Sequence, residues 1–455
     1  MKKFKLLTGL FALAVLITGC ATVSDVVDKN GKTVYYDDIV YNQGQVVQVG
    51  DYLYYGNSYV DASASDFDYG VSAKTGYLAR VNVEEKLKFD SSVTDEYKTS
   101  TSPNGILKVN DKLVGYQNQC MFALGSYLYF TSANTHKDSS LENDYTQVSL
   151  FRVKFNGDKF EEFGTYKHDS NSVITAQKGS DNNYYLIISE PAEESVYNLY
   201  SIKIGDKLEK AKQLNKYTSD GKETIDQIQT LVICDAGSTL KNIVYTIKSQ
   251  SSDLETTEIK SVDFATGEVS TLDNGVISSK TKLIGRDGDT VFYSYEYKAV
   301  NEIYFKKLSN ADRSFNPSPS NKFYNASEIK NIKQVGAGYI FVSSSSGALM
   351  YKTLDVNQDA VLLAASSEFT DVLFTDNSYV YLSSSTSILR INVLSKEKET
   401  IVTMNSIISG KCGYDGNNIY FYAQLQEKEE DSEDENYYMY KTDKLGNYQL
   451  LGQTK

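Results

Sequence analysis

The chain has 455 residues and a formal net charge of −13, from 46 Lys and Arg against 59 Asp and Glu, with 41% hydrophobic and 23% charged residues. That sign of charge, and the lack of any clustered basic stripe, exclude a nucleic-acid surface, whose recognition needs cations that displace counterions from phosphates. A chain this long ordinarily forms roughly two to four domains; the exception is one large domain built from repeats.

Lys2, Lys3 and Lys5 precede an apolar run over 6–17 that is too short for a stable transmembrane helix. A positive start followed by a short apolar stretch marks a targeting segment rather than part of the fold. The segment ends in Ile17, Thr18, Gly19 and Cys20, a block that resembles the lipobox of bacterial lipoproteins. In that motif the residues before the cysteine are read by the signal peptidase, and the thiol takes a diacylglycerol. The resemblance implies a cleaved signal peptide at 1–19 and a lipid on Cys20. It also implies a place on the extracytoplasmic face of the cell membrane, with the bilayer as a partner through the Cys20 diacylglycerol. An ordinary signal peptide in which Cys20 is incidental is the alternative. Cleavage before Cys20 removes three lysines, taking the basic count from 46 to 43 and the balance against 59 acidic residues to −16. Residues 20–32 then read as a short polar lipidated tether, and 33–455 as the folded domain.

Beyond the tether one unit recurs: a turn rich in Gly, Asn, Asp or Ser, then a run of aromatic and β-branched residues, then polar residues. Copies begin at Asp51 (Asp-Tyr-Leu-Tyr-Tyr), Ser126 (Ser-Tyr-Leu-Tyr-Phe), Asn183, Asn242, Asp289, Gly338, Ser378 and Asn418. From Tyr339 to Tyr379 to Ile419 the period is 40 residues, and self-similarity at that length indicates repeated supersecondary units. A second strand follows each run, as in Ser-Leu-Phe-Arg-Val-Lys-Phe at 149–155, ending in the Asn156-Gly157 hairpin signal. A third closes the unit, as in 268–272 and 448–451, and one more precedes each run, as in 332–336 and 370–374. Four short antiparallel strands per repeat, with no long helical period, predict an all-β chain folded as a single β-propeller of four-stranded blades. The count is eight blades, with seven the rival, and a pair of sandwiches or a solenoid the architectural alternative. Closing the ring also removes exposed sheet edges. The strand-like stretch at 33–40 is expected to complete the last blade beside 448–451 and so lock the ring.

The repeat, with Leu150-Phe151-Arg152 before Asn156-Gly157 as its best-kept copy, is similar to bacterial lipoprotein propellers of the low-density-lipoprotein-receptor-type and TolB-type families. The sixth copy departs from it, with Leu349, Met350, Tyr351 and Lys352. Asp263 to Gly267 resembles the turn of quinoprotein-type propeller repeats, but Thr271 stands where that family has its tryptophan, so no quinone cofactor is implied.

Chemistry is thinly signalled. His136 and His168 lie in polar, loop-like sequence, which argues against a histidine triad or zinc site. No Gly-x-Ser-x-Gly, His-Glu-x-x-His or phosphate-binding loop occurs. Cys120, Cys234 and Cys412 are odd in number and far apart, so they form no readable disulfide framework or metal clip and read as small buried side chains. Asp66 and Asp68, and Asp287 and Asp289, supply the oxygen ligands a calcium ion takes without the loop spacing of a full site, and turns explain both pairs. The acidic run at 427–435 reads as a solvated loop. No cofactor is expected.

These readings converge on a membrane-anchored extracytoplasmic propeller that acts as a non-catalytic binding or scaffolding module for a protein or envelope ligand. The contact surface is expected where long insertions at 61–75, 131–147 and 424–435 emerge together on one ring face. The alternative is a propeller glycoside hydrolase or polysaccharide lyase working with paired carboxylates.

Overall fold

Side chains alternate between the two faces of a strand, and in each aromatic run both sets are apolar, so each run must be covered twice. The structure, a computed structural model, describes residues 25–42, 46–57, 77–83, 107–113, 121–133, 146–168, 172–193, 196–205, 210–233, 241–251, 254–273, 281–297, 300–309, 315–424 and 438–452. After a first strand β1 (Tyr36–Val40) the chain forms antiparallel meanders, which we letter in chain order. Sheet A holds β2 (Val46–Val49), β3 (Tyr52–Asn57), β4 (Tyr77–Asn82) and β5 (Leu107–Leu113). Sheet B holds β6 (Met121–Gly125), β7 (Tyr127–Ala133), β8 (Thr146–Lys154) and β9 (Glu161–His168). Sheet C holds β10 (Ile174–Lys178), β11 (Tyr184–Glu193), β12 (Val196–Ile204) and β13 (Lys212–Gln213), and is followed by a hairpin of β14 (Lys216–Ser219) and β15 (Lys222–Ile225). Sheet D holds β16 (Ile228–Ile233), β17 (Asn242–Ser251), β18 (Leu254–Asp263) and β19 (Val269–Asp273). Sheet E holds β20 (Thr281–Asp287), β21 (Thr290–Tyr297), β22 (Val300–Lys307) and, after a short 3₁₀ turn, β23 (Lys322–Tyr324). Sheet F holds β24 (Ile329–Val335), β25 (Gly338–Ser343), β26 (Leu349–Thr353) and β27 (Val361–Ala364). Sheet G holds β28 (Asp371–Thr375), β29 (Tyr379–Ser383), β30 (Ser387–Asn392) and β31 (Lys398–Thr403). Sheet H holds β32 (Ile407–Tyr414), β33 (Asn418–Ala423), β34 (Tyr438–Asp443) and β35 (Tyr448–Gly452).

Each aromatic run is the second strand of its sheet, and its two faces go to two neighbours. Leu53 and Tyr55 of β3 pack with Tyr420 and Tyr422 of sheet H, whereas Tyr54 between them packs with Leu128 and Phe130 of sheet B. In β25, Tyr339 and Phe341 face sheet E, and Ile340 faces sheet G. The same division gives one apolar core between every successive pair of sheets, and the last core joins H back to A. First strands touch their counterparts from D through H, and from H through A to B; sheet B meets C through β9 and β11, and C and D are joined into one eight-stranded sheet by antiparallel pairing of β12 with β16 at Tyr197 and Ile228. From D through H and A to B the first strands are innermost, and sheets ringed in this way have the arrangement of a β-propeller. The tight connections from first to second strand carry Gly50, Gly125, Gly288 and Gly336 at positive φ, as a hairpin turn matched to strand twist requires.

A polar device repeats beside the apolar one. The third strand sets a cation directly across from the second-strand aromatic: Arg80 opposite Tyr54, Arg152 opposite Tyr129, Lys260 opposite Tyr245, Arg390 opposite Tyr381 and Lys441 opposite Tyr420. Three of these reach into the next sheet and donate to the carbonyl just past its third strand. Arg80 bonds Phe155 O at 3.2 Å, Arg152 bonds Gly205 O at 2.8 Å, and Lys441 bonds Val83 O at 3.2 Å. Burial holds the Tyr54 hydroxyl up to about 12, with Arg80 pulling it the other way.

Four expectations need correction. The stretch at 33–40 does not complete the last sheet: β1 pairs antiparallel with β6, at the inner edge of sheet B. Tyr36 accepts from Gly50 N at 3.0 Å and packs on Phe155, so its apolar contacts lie between sheets A and B. Among the described residues the ring closes instead by packing H on A, without an exchanged strand. The insertion expected at 131–147 is narrower, because Thr131 and Ala133 belong to β7 and Thr146 and Gln147 to β8. Within the stretch read as a tether, residues from Asp25 onward already lie on the ring: Val26 is buried in the core between A and B. His168, read as a loop residue, is the last residue of β9 and pairs with Thr146.

Tyr54 and Tyr55 make a matched test of these two devices. Tyr54 donates to Phe155 O and accepts from Arg80 at 3.1 Å, whereas the Tyr55 hydroxyl is buried with no partner. Removing a bonded hydroxyl costs about 1–2 kcal/mol, and removing an unsatisfied one is neutral or favourable. Tyr54→Phe is therefore expected to lower the urea-unfolding free energy by about that amount, and Tyr55→Phe to leave it unchanged or raise it.

Candidate functional site

The two ends of the ring differ in chemistry. In an antiparallel meander the first-to-second and third-to-fourth connections gather at one end, and the second-to-third connections gather at the other.

At the first end the N-terminal segment lies across the mouth of the channel. From its pairing with β6, β1 brings Asp38 to sheet C, where the carboxylate accepts from the Tyr184 hydroxyl and from Lys178 Nζ at 2.9 Å. These two donors, the Tyr184 bond first, hold Asp38 below the usual carboxylate range. Asn42 then reaches sheet H: Tyr414 N donates to Asn42 O at 2.6 Å, and Asn42 Nδ2 donates to Tyr414 O at 3.3 Å. Gln48 closes the link, its N–H on Asn42 Oδ1 at 2.8 Å and its Oε1 accepting from Tyr420 at 2.9 Å. One short segment thereby ties sheets A, B, C and H together.

At the opposite end a recess of about 330 Å³ opens in the channel wall, where β16 and β20 begin. Gln229, Thr230, Lys282 and Glu328 line it together with Tyr197 of β12 and the aliphatic chain of Leu283. Thr230 is fixed twice over: its hydroxyl bonds the Thr246 hydroxyl at 2.7 Å and accepts from Leu283 N at 3.1 Å, so it pins sheet D to sheet E. Lys282 and Glu328 stand 3.9 Å apart at the rim with about half of each side chain in water, a spacing and exposure at which mutual attraction is weak and both charges stay available to a ligand. A cation, an anion, a carboxamide and an aromatic wall around a volume of this size suit a small polar group such as a stretch of peptide or one sugar unit.

The acidic residues singled out in the sequence fall elsewhere. Asp287 and Asp289 flank the β20–β21 turn, at the end away from the recess. Asp287 accepts from Gln334 N of sheet F, and Asp289 accepts from Ser309 N at 2.9 Å and from its hydroxyl. Asp66, Asp68, Ile17, Thr18, Gly19, Cys20, His136, Cys120 and Cys234 lie outside the described residues. Cys412 is a buried thiol whose pKa burial pushes up. Among the described residues, no group of three or more His, Cys, Asp and Glu side chains comes together.

Other carboxylates hold turns and tyrosines. Asp376 accepts from Ser378 N and Tyr379 N and from the Tyr381 hydroxyl at 2.9 Å; Asp415 does the same for Asn417 N, Asn418 N and the Tyr420 hydroxyl. These bonds outweigh burial and keep both carboxyls below their ordinary range. Asp226 is buried with Lys260 Nζ at 2.9 Å and the Tyr245 hydroxyl at 2.7 Å. Burial works to lower the Lys260 pKa, but the Asp226 carboxylate overrides it and holds the value above ordinary. None of these groups was picked out from the sequence. The signal that existed was the basic residue recurring within the third-strand apolar stretch, as in Leu78-Ala79-Arg80, Leu150-Phe151-Arg152, Ile259-Lys260, Leu389-Arg390 and Met439-Tyr440-Lys441.

No protein-family model matches the chain, and no curated protein matches it. Among solved structures it is similar to a prolyl endopeptidase (TM-score 0.42, 11% identity, 75% of this chain and 49% of that one). It is likewise similar to a puromycin hydrolase (0.43, 11%, 74% and 53%) and to the propeller domain of the Trilobed protease of Pyrococcus furiosus (0.36, 9%, 81% and 99%). The chain thus spans about half the length of the prolyl endopeptidase and the puromycin hydrolase. TolB from Acinetobacter baumannii is matched at 0.28, with 11% identity over 71% of this chain and 79% of that one.

The buried tyrosines set a pH limit. Tyr54 and Tyr381 are both pushed up to about 12, chiefly by burial, with Asp376 adding to the rise at Tyr381, against about 10 in an unfolded chain. A raised value means that this contribution to stability is fully present below about pH 10 and is lost as pH climbs through about 12. Urea midpoints are expected to hold level up to roughly pH 9.5 and then fall steeply. A midpoint independent of pH up to 12 would contradict the burial of these hydroxyls.

Proposed function

We propose that the chain is a lipid-anchored, eight-bladed β-propeller on the extracytoplasmic face of the cell membrane, and that it binds a protein or envelope ligand without catalysis. Sheets A to H are its blades, and Cys20 carries the diacylglycerol. The observation that carries the reading is the contrast between the ring's two ends. One is crossed by β1 and tied by Asp38, Asn42 and Gln48 to several sheets. The other offers the recess with Lys282, Glu328 and Gln229, and the long second-to-third connections of sheets A, B and H leave from the same end.

The recess chemistry supports binding rather than turnover. Glu328 faces a lysine, and at the other end of the ring the turn carboxylates Asp376 and Asp415 accept from backbone N–H groups, which stabilises their charged form and makes them poor proton donors at neutral pH. A ligand held by one ion pair and one or two hydrogen bonds in such a recess binds weakly by itself, and the flanking connections extend the surface.

The test has two parts. In intact cells Cys20→Ala is expected to move the protein from the membrane fraction to the soluble one. Crosslinking on those cells then identifies what the wild-type protein holds. Lys282→Ala with Glu328→Ala, and separately deletion of 61–75, 134–145 and 425–435, are expected to weaken capture by about tenfold or more, a loss of at least roughly 1.4 kcal/mol. Capture unchanged in both variants would overturn the assignment of this end as the binding face. Cleavage of an envelope glycan by the purified protein would replace binding with hydrolase or lyase action.

A further inference from the structure

We infer that the ring sits with the end crossed by β1 toward the bilayer, and that apolar turn tips on sheets F, G and H rest in the headgroup region, so that the recess points away from the membrane. The inference rests on the lipid anchor at Cys20 proposed above and deepens it from an address into an orientation.

The first observation is where the chain becomes fastened to the ring. Asp25 Oδ1 accepts from Asn156 Nδ2 at 2.8 Å, on the third-to-fourth connection of sheet B. Val26 is buried against Gly50, Val34 N donates to Val26 O at 2.9 Å, and Val27 bridges to Thr33. All of these contacts lie at the end of the ring where the first-to-second turns gather. Five Cα–Cα steps separate Cys20 from Asp25, and whatever path they take they span at most about 18 Å. A hydrocarbon anchor on Cys20 therefore holds this end close to the membrane surface. The opposite end is separated from it by the full length of the strands.

The second observation is independent of the anchor. Nine large hydrophobic side chains are exposed among the described residues, and seven of them lie at this same end. Leu394 (76% exposed) and Leu445 (79%) are the tips of the third-to-fourth turns of sheets G and H, and Val356 occupies the same turn of sheet F. Leu362 and Tyr448 lie at the start of the strands that follow, and Tyr35 and Val27 belong to the fastened segment. Sheets F, G, H, A and B are consecutive around the ring, so the apolar residues and the chain's attachment share one continuous arc of one face. Single exposed leucines are ordinary, but a one-sided cluster is a contact surface. The turns hold these tips rigidly: Leu394 N bonds Asn392 Oδ1 at 3.0 Å, and Leu445 N bonds Asp443 Oδ1 at 2.8 Å. Lys396 is exposed two positions from Leu394, and Lys444, next to Leu445, pairs with Asp376 at 3.3 Å. Leucine tips beside lysines suit the boundary between acyl chains and anionic headgroups.

The chain contains no tryptophan, so one introduced tryptophan reports a single position. Leu394→Trp, Leu445→Trp and, at the exposed second-to-third turn of sheet G, Thr386→Trp would each be prepared as full-length lipidated protein. Each would be reconstituted in phosphatidylglycerol-containing vesicles with brominated acyl chains. The tryptophans at 394 and 445 are expected to shift to the blue and lose fluorescence to the bromines, while the one at 386 keeps its emission. Equal quenching at all three positions, or quenching at 386 alone, overturns the orientation. Unquenched tryptophans at 394 and 445 on a vesicle-bound, diacylated protein overturn it as well while leaving the anchor intact, and point to a protein covering those leucines. A mass spectrum with Cys20 unmodified and the protein free of vesicles overturns the anchor itself, and the orientation with it.

Discussion

The fold depends on one constraint: a second strand whose two faces are both apolar cannot stop at one neighbour. A single sheet packed on one partner would leave half of Tyr54–Tyr55, Tyr420–Phe421 or Ile340–Phe341 in water. Burying a large apolar side chain is worth roughly 1.5–3 kcal/mol relative to leaving it exposed. Each sheet therefore recruits a sheet on both sides, and the sequence of sheets ends only when the last meets the first. The core of Leu53, Tyr55, Val81, Tyr420, Tyr422 and Leu451 is that meeting. Among the described residues no strand is exchanged to secure it; the tie is apolar packing, reinforced by Lys441 on Val83 O and by Asn42 on Tyr414.

Polar groups follow from the same geometry. A ring of twisted sheets leaves carbonyls just past the third strands facing the neighbouring sheet, and Arg80, Arg152 and Lys441 satisfy them. The guanidinium of Arg80 is buried to do so, a position tolerated because it bonds both a carbonyl and the Tyr54 hydroxyl. Turn carboxylates such as Asp376 and Asp415 meet the tyrosine hydroxyls from the other side. The tyrosines, 37 in the chain, are thus used at both ends, their rings between sheets and their hydroxyls in these small networks.

The strands were legible in the sequence because the period of two and the glycine-bearing turns are local properties. Each of the eight aromatic runs is a strand, and the Asn156-Gly157 hairpin lies where it was expected. The path of 33–40 was not legible, since its alternation fits any strand edge; what decides it is the fit of Tyr36 against Phe155 and of Asp38 against Lys178, both contacts between distant parts of the chain. The recess was invisible for the same reason: Gln229, Lys282 and Glu328 carry no spacing rule and meet only because β16, β20 and β24 line one channel wall. Asp287 and Asp289, conspicuous as a close acidic pair, face different donors on opposite sides of their turn. The one-sided cluster of Leu394 and Leu445 was equally hidden, because exposure at a turn tip is decided by the ring and not by the turn.

Closure of H on A is the point at which this account is most directly open to measurement. Tyr55 and Tyr422, 367 positions apart in sequence, meet edge to face with ring centroids 6.2 Å apart. A double-mutant cycle of Tyr55→Leu and Tyr422→Leu, read by urea unfolding, is predicted to give a coupling of about 0.5–1.5 kcal/mol. Additivity of the two substitutions to within about 0.3 kcal/mol would contradict a closed ring.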